Sequence, residues 1–123
     1  MFNDSNKAIY LQIADTICDN ILDGTYSPGD RLPSVREYAA SVEVNANTVM
    51  RSYDFLATRD VIANKRGIGF FVLPDAPAVV KAMREEELLD REIFSVFRRL
   101  SLLGVTPDAL KAKYEKYLQN PQQ

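Results

Sequence analysis

The stretch LPSVREYAASVEVNANTVMRSYDFL, residues 32–56, decides how this chain folds. Ser34 follows Pro33, and Glu37 stands three residues after it. That Ser-x-x-Glu spacing is a capping box: the serine hydroxyl accepts a hydrogen bond from the third helical N–H, and the glutamate reaches back to the serine N–H. A helix therefore begins after Ser34, with Val35, Tyr38 and Ala39 able to face a core. It is short, because Val42 to Asn45 form a tight link and Asn45 is a second N-cap residue. Val49, Tyr53 and Leu56 then recur at i, i+4 and i+7, the spacing of one buried helix stripe. Asn47, Arg51, Asp54 and Thr58 fall on another face. Two short helices joined by a few residues, the second opening on exposed amides, a hydroxyl and a guanidinium, make a helix-turn-helix pattern.

The flanking sequence extends this pattern in both directions. Upstream, Ile9, Ile13, Ile17 and Ile21, with Tyr10, Ala14, Cys18 and Leu22 alongside, give an amphipathic helix over residues 8–23, stopped by Gly24 and followed by the Ser27-Pro28-Gly29-Asp30 turn. Downstream, residues 61–64 and 69–73 read as strands joined by the tip Lys65-Arg66-Gly67-Ile68. A hairpin directly after a helix-turn-helix is a wing. Residues 77–103 then read as one long helix, in which Leu89, Ile93, Val96, Leu100 and Leu103 advance by alternate fours and threes. Gly104 ends it, and Thr106-Pro107 starts another helix. The expected fold is mainly α with a small β-hairpin wing: a winged helix-turn-helix domain over residues 1–74 and a helical extension over 75–123.

Composition narrows the function. The chain has no histidine and one cysteine, Cys18, which removes histidine-based triads, the usual zinc clusters and any intrachain disulfide. No phosphate-binding loop is present: Gly67-Ile68-Gly69 is too short and too misplaced to be a dinucleotide loop, which would follow a strand and open a helix. No enzymatic activity and no cofactor are expected. No apolar run is long enough to cross a membrane, and MFNDSNK lacks a basic stretch followed by an apolar one, so a cytoplasmic location is expected. The net charge of −2 argues against a generic nucleic-acid coat. Yet Arg31, Arg36, Arg51, Lys65 and Arg66, five of the seven basic residues before position 76, fall on the helix-turn-helix and wing.

Residues 8–73 resemble the DNA-binding domain of the GntR family of bacterial transcription regulators. AIYLQIADTI, PGDRLPSVRE, VNANTVMRSY and RGIGFFV carry the resemblance, in order and spacing. The short region after the wing resembles that of the YtrA subfamily, whose helical extension dimerises. The resemblance implies a homodimeric repressor, often of a nearby transporter operon, acting on double-stranded DNA at a near-palindromic operator. Ala46 stands where the subfamily often has proline, and Met50 where relatives are often polar, so the operator sequence does not transfer.

A recognition helix offers its N-terminal residues to base edges in the major groove. Asparagine pairs with adenine, threonine bonds or touches a thymine methyl, and arginine reads guanine or holds phosphate. Asn45, Asn47, Thr48 and Arg51 supply that set, with Asn45 serving equally well as a plain helix cap. The resemblance gives Arg36 a DNA contact; the competing reading is a surface pair with Glu37 or Asp30, which contributes little. Arg31 suits either phosphate contact or packing. Lys65, Arg66 and Gly67 form the wing tip, where the basic pair reaches phosphates or the minor groove, against the plainer reading of a solvated hairpin. Leu89, Ile93, Val96, Phe97, Leu100 and Leu103 are the expected dimerisation residues. A small-molecule effector, if one acts, would bind the extension or the dimer interface. The competing functional reading is a winged-helix module for protein contact alone, motivated by the acidic balance.

Overall fold

The computed structural model describes residues 7–121; residues 1–6, most of the MFNDSNK stretch, and residues 122 and 123 lie outside that range. Helix α1 (Ile9–Leu22) buries Ile13, Ala14, Ile17, Cys18 and Ile21. Ile9 and Leu22, which the periodicity assigns to the same stripe, are exposed in the terminal turns, beyond the reach of the covering elements. Helix α2 (Val35–Val42) opens on the expected capping box: the Glu37 N–H donates to Ser34 Oγ at 3.1 Å and the Ser34 N–H to Glu37 Oε1 at 3.0 Å. It closes with Glu43 in the left-handed region, φ 57°, and the Val44 N–H on the Ala39 carbonyl at 3.0 Å. That closure turns the chain at once into helix α3 (Ala46–Thr58), where Asn45 Oδ1 accepts from the Asn47 N–H at 2.7 Å.

Helix α3 is the centre of the domain. Val49, Ser52, Tyr53 and Leu56 have no exposed surface. The Tyr53 hydroxyl donates to the Pro33 carbonyl at 2.7 Å, and its ring meets Tyr38 and Phe70 edge-on, centroids 6.2 and 5.0 Å apart. Burial holds the Tyr53 phenol well above its ordinary pKa, so it remains a donor. The helix stops at Asp60, again left-handed (φ 61°), with the Val61 N–H on the Leu56 carbonyl at 3.0 Å.

Strands β1 (Ile62–Lys65) and β2 (Gly69–Val72) pair antiparallel, Ile62 opposite Val72 and Lys65 opposite Gly69. The first strand thus begins one residue later than its apolar run, and Lys65 ends it rather than sitting in the tip, because its carbonyl accepts the Ile68 N–H that closes the turn. The Ser27–Asp30 turn leads directly onto the other edge of β2: Gly29 N–H to the Val72 carbonyl, Val72 N–H to the Asp30 carbonyl, and Leu32 N–H to the Phe70 carbonyl, at 2.8–2.9 Å. Arg31 bridges Phe71 there, so the edge that a two-stranded wing would expose is covered.

The first compact unit runs through Met83, past the boundary expected at residue 74. The reason is burial: helix α4 (Ala76–Glu87) places Ala76 and Val80 in the core, with Val79 and Met83 packed against it. The second unit, from Arg84, is helical but not uniformly α. Residues Leu88–Glu92 form a π-helical segment, the Ile93 N–H reaching the Leu88 carbonyl, before α5 (Ile93–Leu102). The wider turn takes Leu89 out of strict register with the stripe that follows, so the expected single helix over 77–103 is interrupted. Gly104 (φ 74°) closes α5, and α6 (Pro107–Gln119) starts with Thr106 Oγ1 accepting from the Ala109 N–H at 3.2 Å. Among the described residues no helix is long and apolar enough to cross a membrane.

Candidate nucleic-acid interface

The residues read as DNA contacts all lie in the first unit, at the surface. Asn45, Asn47, Met50 and Arg51 are exposed along the opening of α3, and Thr48 is half-buried. They cannot turn inward, because Val49, Ser52 and Tyr53 already occupy the core side. Asn45 Oδ1 accepts the cap hydrogen bond, and its amide donors stay free for a ligand. Asn47, Thr48 and Arg51 line one side of a shallow notch of about 400 Å³; Ala8, Ile9 and Tyr10, at the start of α1, line the other.

Within that notch Arg51 is held. Its guanidinium carbon lies 3.9 Å from the centroid of the Tyr10 ring. Ser52 Oγ donates to the Tyr10 carbonyl at 2.7 Å, and Phe55 meets the Tyr10 ring edge-on at 6.2 Å. Sequence reasoning assigned Tyr10 to packing and gave it no part in the site. Nothing in the local spacing could have found it, since the contact joins two helices distant in the chain.

Arg36 is exposed near the start of α2. Neither of the acids considered as its partner pairs with it: Asp30 Oδ2 accepts from the Ser27 N–H at 2.8 Å and Glu37 Oε1 from the Ser34 N–H at 3.0 Å. The Ser34 N–H, then its hydroxyl, holds the Glu37 carboxyl below the ordinary glutamate range, with a smaller contribution from Arg31. Of its two candidate roles, Arg31 shows the packing one. Its backbone bridges the wing, and its guanidinium lies against Gly69, where an added Cβ would come within 2.8 Å of Nε. On the wing, the Lys65 ammonium sits 4.5 Å from the Phe71 ring centroid. Arg66 is exposed at the tip, Gly67 has φ 78° in open space, and Ile68 is 59% exposed beside them. Arg36, Lys65 and Arg66 do not line the notch; they flank it in the sequence on the preceding helix and the following wing.

The arrangement offers hydrogen-bond donors, one guanidinium stacked on a ring and a basic hairpin tip. Those groups suit base edges and phosphates.

Similarity to known proteins agrees. The family model described as bacterial regulatory proteins, gntR family, matches residues 9–72. The HTH-type transcriptional regulator YhcF of Bacillus subtilis is 36% identical over 107 residues, covering 86% of each chain. The HTH-type transcriptional repressor YtrA of the same organism is 39% identical over 72 residues, 58% of this chain and 55% of that one. A crystal structure of a GntR-family regulator from Bacteroides thetaiotaomicron superposes with a TM-score of 0.83 at 50% identity, covering 93% of this chain and 99% of that one. These relatives are regulators rather than enzymes, and with the winged fold and its outward-facing donors they establish that the chain belongs to the GntR family of regulatory proteins.

Proposed function

We propose that this chain is a homodimeric transcriptional repressor that reads a near-palindromic operator. In this reading α3 enters the major groove, Asn47, Thr48 and Arg51 meet base edges, and Arg36, Lys65 and Arg66 hold phosphates. Likeness to a relative named as a repressor supports the direction of control.

The observation that carries the homodimer is the second unit's lack of a core. No described residue from 84 onward is buried, while Phe94, Phe97, Leu102, Leu103, Tyr114 and Leu118 are exposed. Helices that bury nothing do not offset the entropy of ordering them. A second copy of the same apolar face supplies the missing cover, and two copies present two recognition helices to half-sites roughly 34 Å apart. Between α5 and α6 an apolar groove of about 510 Å³, lined by Phe97, Leu100, Val105, Pro107 and Leu110, belongs to this face. In this reading a partner or a small effector fills it.

The test is a gel shift on a consensus duplex selected by the wild-type chain from a randomised library. Arg36→Ala with Arg51→Ala should abolish the specific shift while circular dichroism is unchanged. An unaltered shift would refute the assignment of these arginines. Repression is checked by a reporter carrying the selected duplex, where co-expression should lower output.

A further inference from the structure

We infer that Tyr10 is a positioning residue for recognition: its ring holds the Arg51 guanidinium in place on α3 before DNA arrives. The inference rests on the reading of Arg51 as a DNA contact and deepens it.

Three contacts from α3 converge on Tyr10. Arg51 covers the ring at 3.9 Å. The next residue, Ser52, has no exposed surface and ties its hydroxyl to the Tyr10 carbonyl at 2.7 Å, across 42 residues of sequence. One turn on, Phe55 braces the ring edge-on, the planes at 72°. Arg59 then covers the Phe55 ring at 3.7 Å, so cations and rings alternate along one side of the helix.

The physical consequence concerns Arg51's freedom. A free arginine populates many rotamers and loses them on binding. Stacking on an aromatic face restricts the side chain in advance. It uses the flat face of the guanidinium, while the N–H donors lie in its plane and stay free for a base edge. The Ser52 bond fixes the Tyr10 backbone to α3, so the platform and the arginine move together. Substitution at Tyr10 should therefore change what Arg51 reads without touching DNA itself.

The experiment is a double-mutant cycle with the full chain and the selected consensus duplex. Tyr10→Leu should weaken binding roughly 2- to 5-fold, the range of an exposed cation–π contact. It should also flatten base preference at one position per half-site, read by competition with single-base variants. Tyr10→Phe keeps the ring and should restore both. In an Arg51→Ala background, Tyr10→Leu should have no further effect. Tyr10→Met, which also removes the ring, carries the same test should Tyr10→Leu fail to fold. A Tyr10 effect that persists undiminished without Arg51 would overturn the inference alone. Wild-type binding by Arg51→Ala would overturn the reading on which it rests.

Discussion

Two residues take a backbone conformation that their side chains disfavour. Glu43 and Asp60 both lie at left-handed φ, each closing a helix with the bond from the following N–H to a carbonyl five residues back. Glycine adopts that region without a Cβ penalty, whereas glutamate is strained there by roughly 1–2 kcal/mol. Glycine's greater freedom in the unfolded chain takes back part of the gain. Glu43→Gly should therefore stabilise the first unit by about 0.5–1 kcal/mol, measured by urea unfolding. A loss of stability would mean the Glu43 side chain does more than tolerate its turn. Tyr53→Phe tests the opposite case. It keeps the ring between Tyr38 and Phe70 but leaves the Pro33 carbonyl without its 2.7 Å partner. A cost of about 1 kcal/mol is expected in the same measurement, and no change would show that another donor replaces the phenol.

At the scale of elements, helix ends divide into those the sequence declares and those it hides. Ser34 with Glu37, Asn45, Thr106 with Pro107, and Gly104 each carry a side-chain or backbone chemistry specific to a helix terminus, and each acts there. The end of α3 at Asp60 carries no such sign, because aspartate only occasionally takes the left-handed turn. The π-helical segment is hidden for a different reason. Leu89 and Ile93 are four apart, a spacing that fits an α-helix, and only the Ile93-to-Leu88 hydrogen bond reveals the wider turn. Residues 27–30 read only as a turn, because the pairing of residues 29–32 with β2 depends on chain brought from about forty residues away. The site divides the same way. The exposure of Asn47 and Arg51 is legible from helical phase, whereas the Tyr10 contact is not, since it comes from another helix. The capping box yields a pH prediction. Glu37 titrates below its ordinary value in the folded chain, so the unfolded state binds more protons in acid. Its contribution is full above about pH 4.5 and lost as pH falls through the folded value. Glu37→Gln keeps a reciprocal cap without a charge to titrate. Stability of that variant, followed by urea unfolding from pH 6 to pH 3, should fall less steeply than wild type. Parallel curves would assign the acid sensitivity to other carboxylates.

At the scale of the whole molecule, the proposed dimer contacts and the proposed DNA contacts fall in different units, so the two can be tested separately. Leu103 is 78% exposed in the single chain, so Leu103→Asp removes almost no packing within it. Any effect on assembly then reports the interface directly. Sedimentation should show the wild type as a dimer at micromolar concentration and Leu103→Asp shifted towards monomer. Helicity of the wild type should fall on dilution, since the second unit has no core without a partner. The Leu103 variant should still bind DNA through single half-sites, with much lower affinity for the full operator. The wing makes the converse case. Lys65→Ala leaves the second unit untouched and should preserve the dimer, but each lost phosphate contact reduces the salt slope of log K by about 0.9. Two copies predict a slope shallower by about 2, with sequence preference retained. A changed base preference with an unchanged slope would move Lys65 from the phosphates to the base edges. A dimeric Leu103→Asp protein would remove that residue, though not the apolar face around it, from the interface.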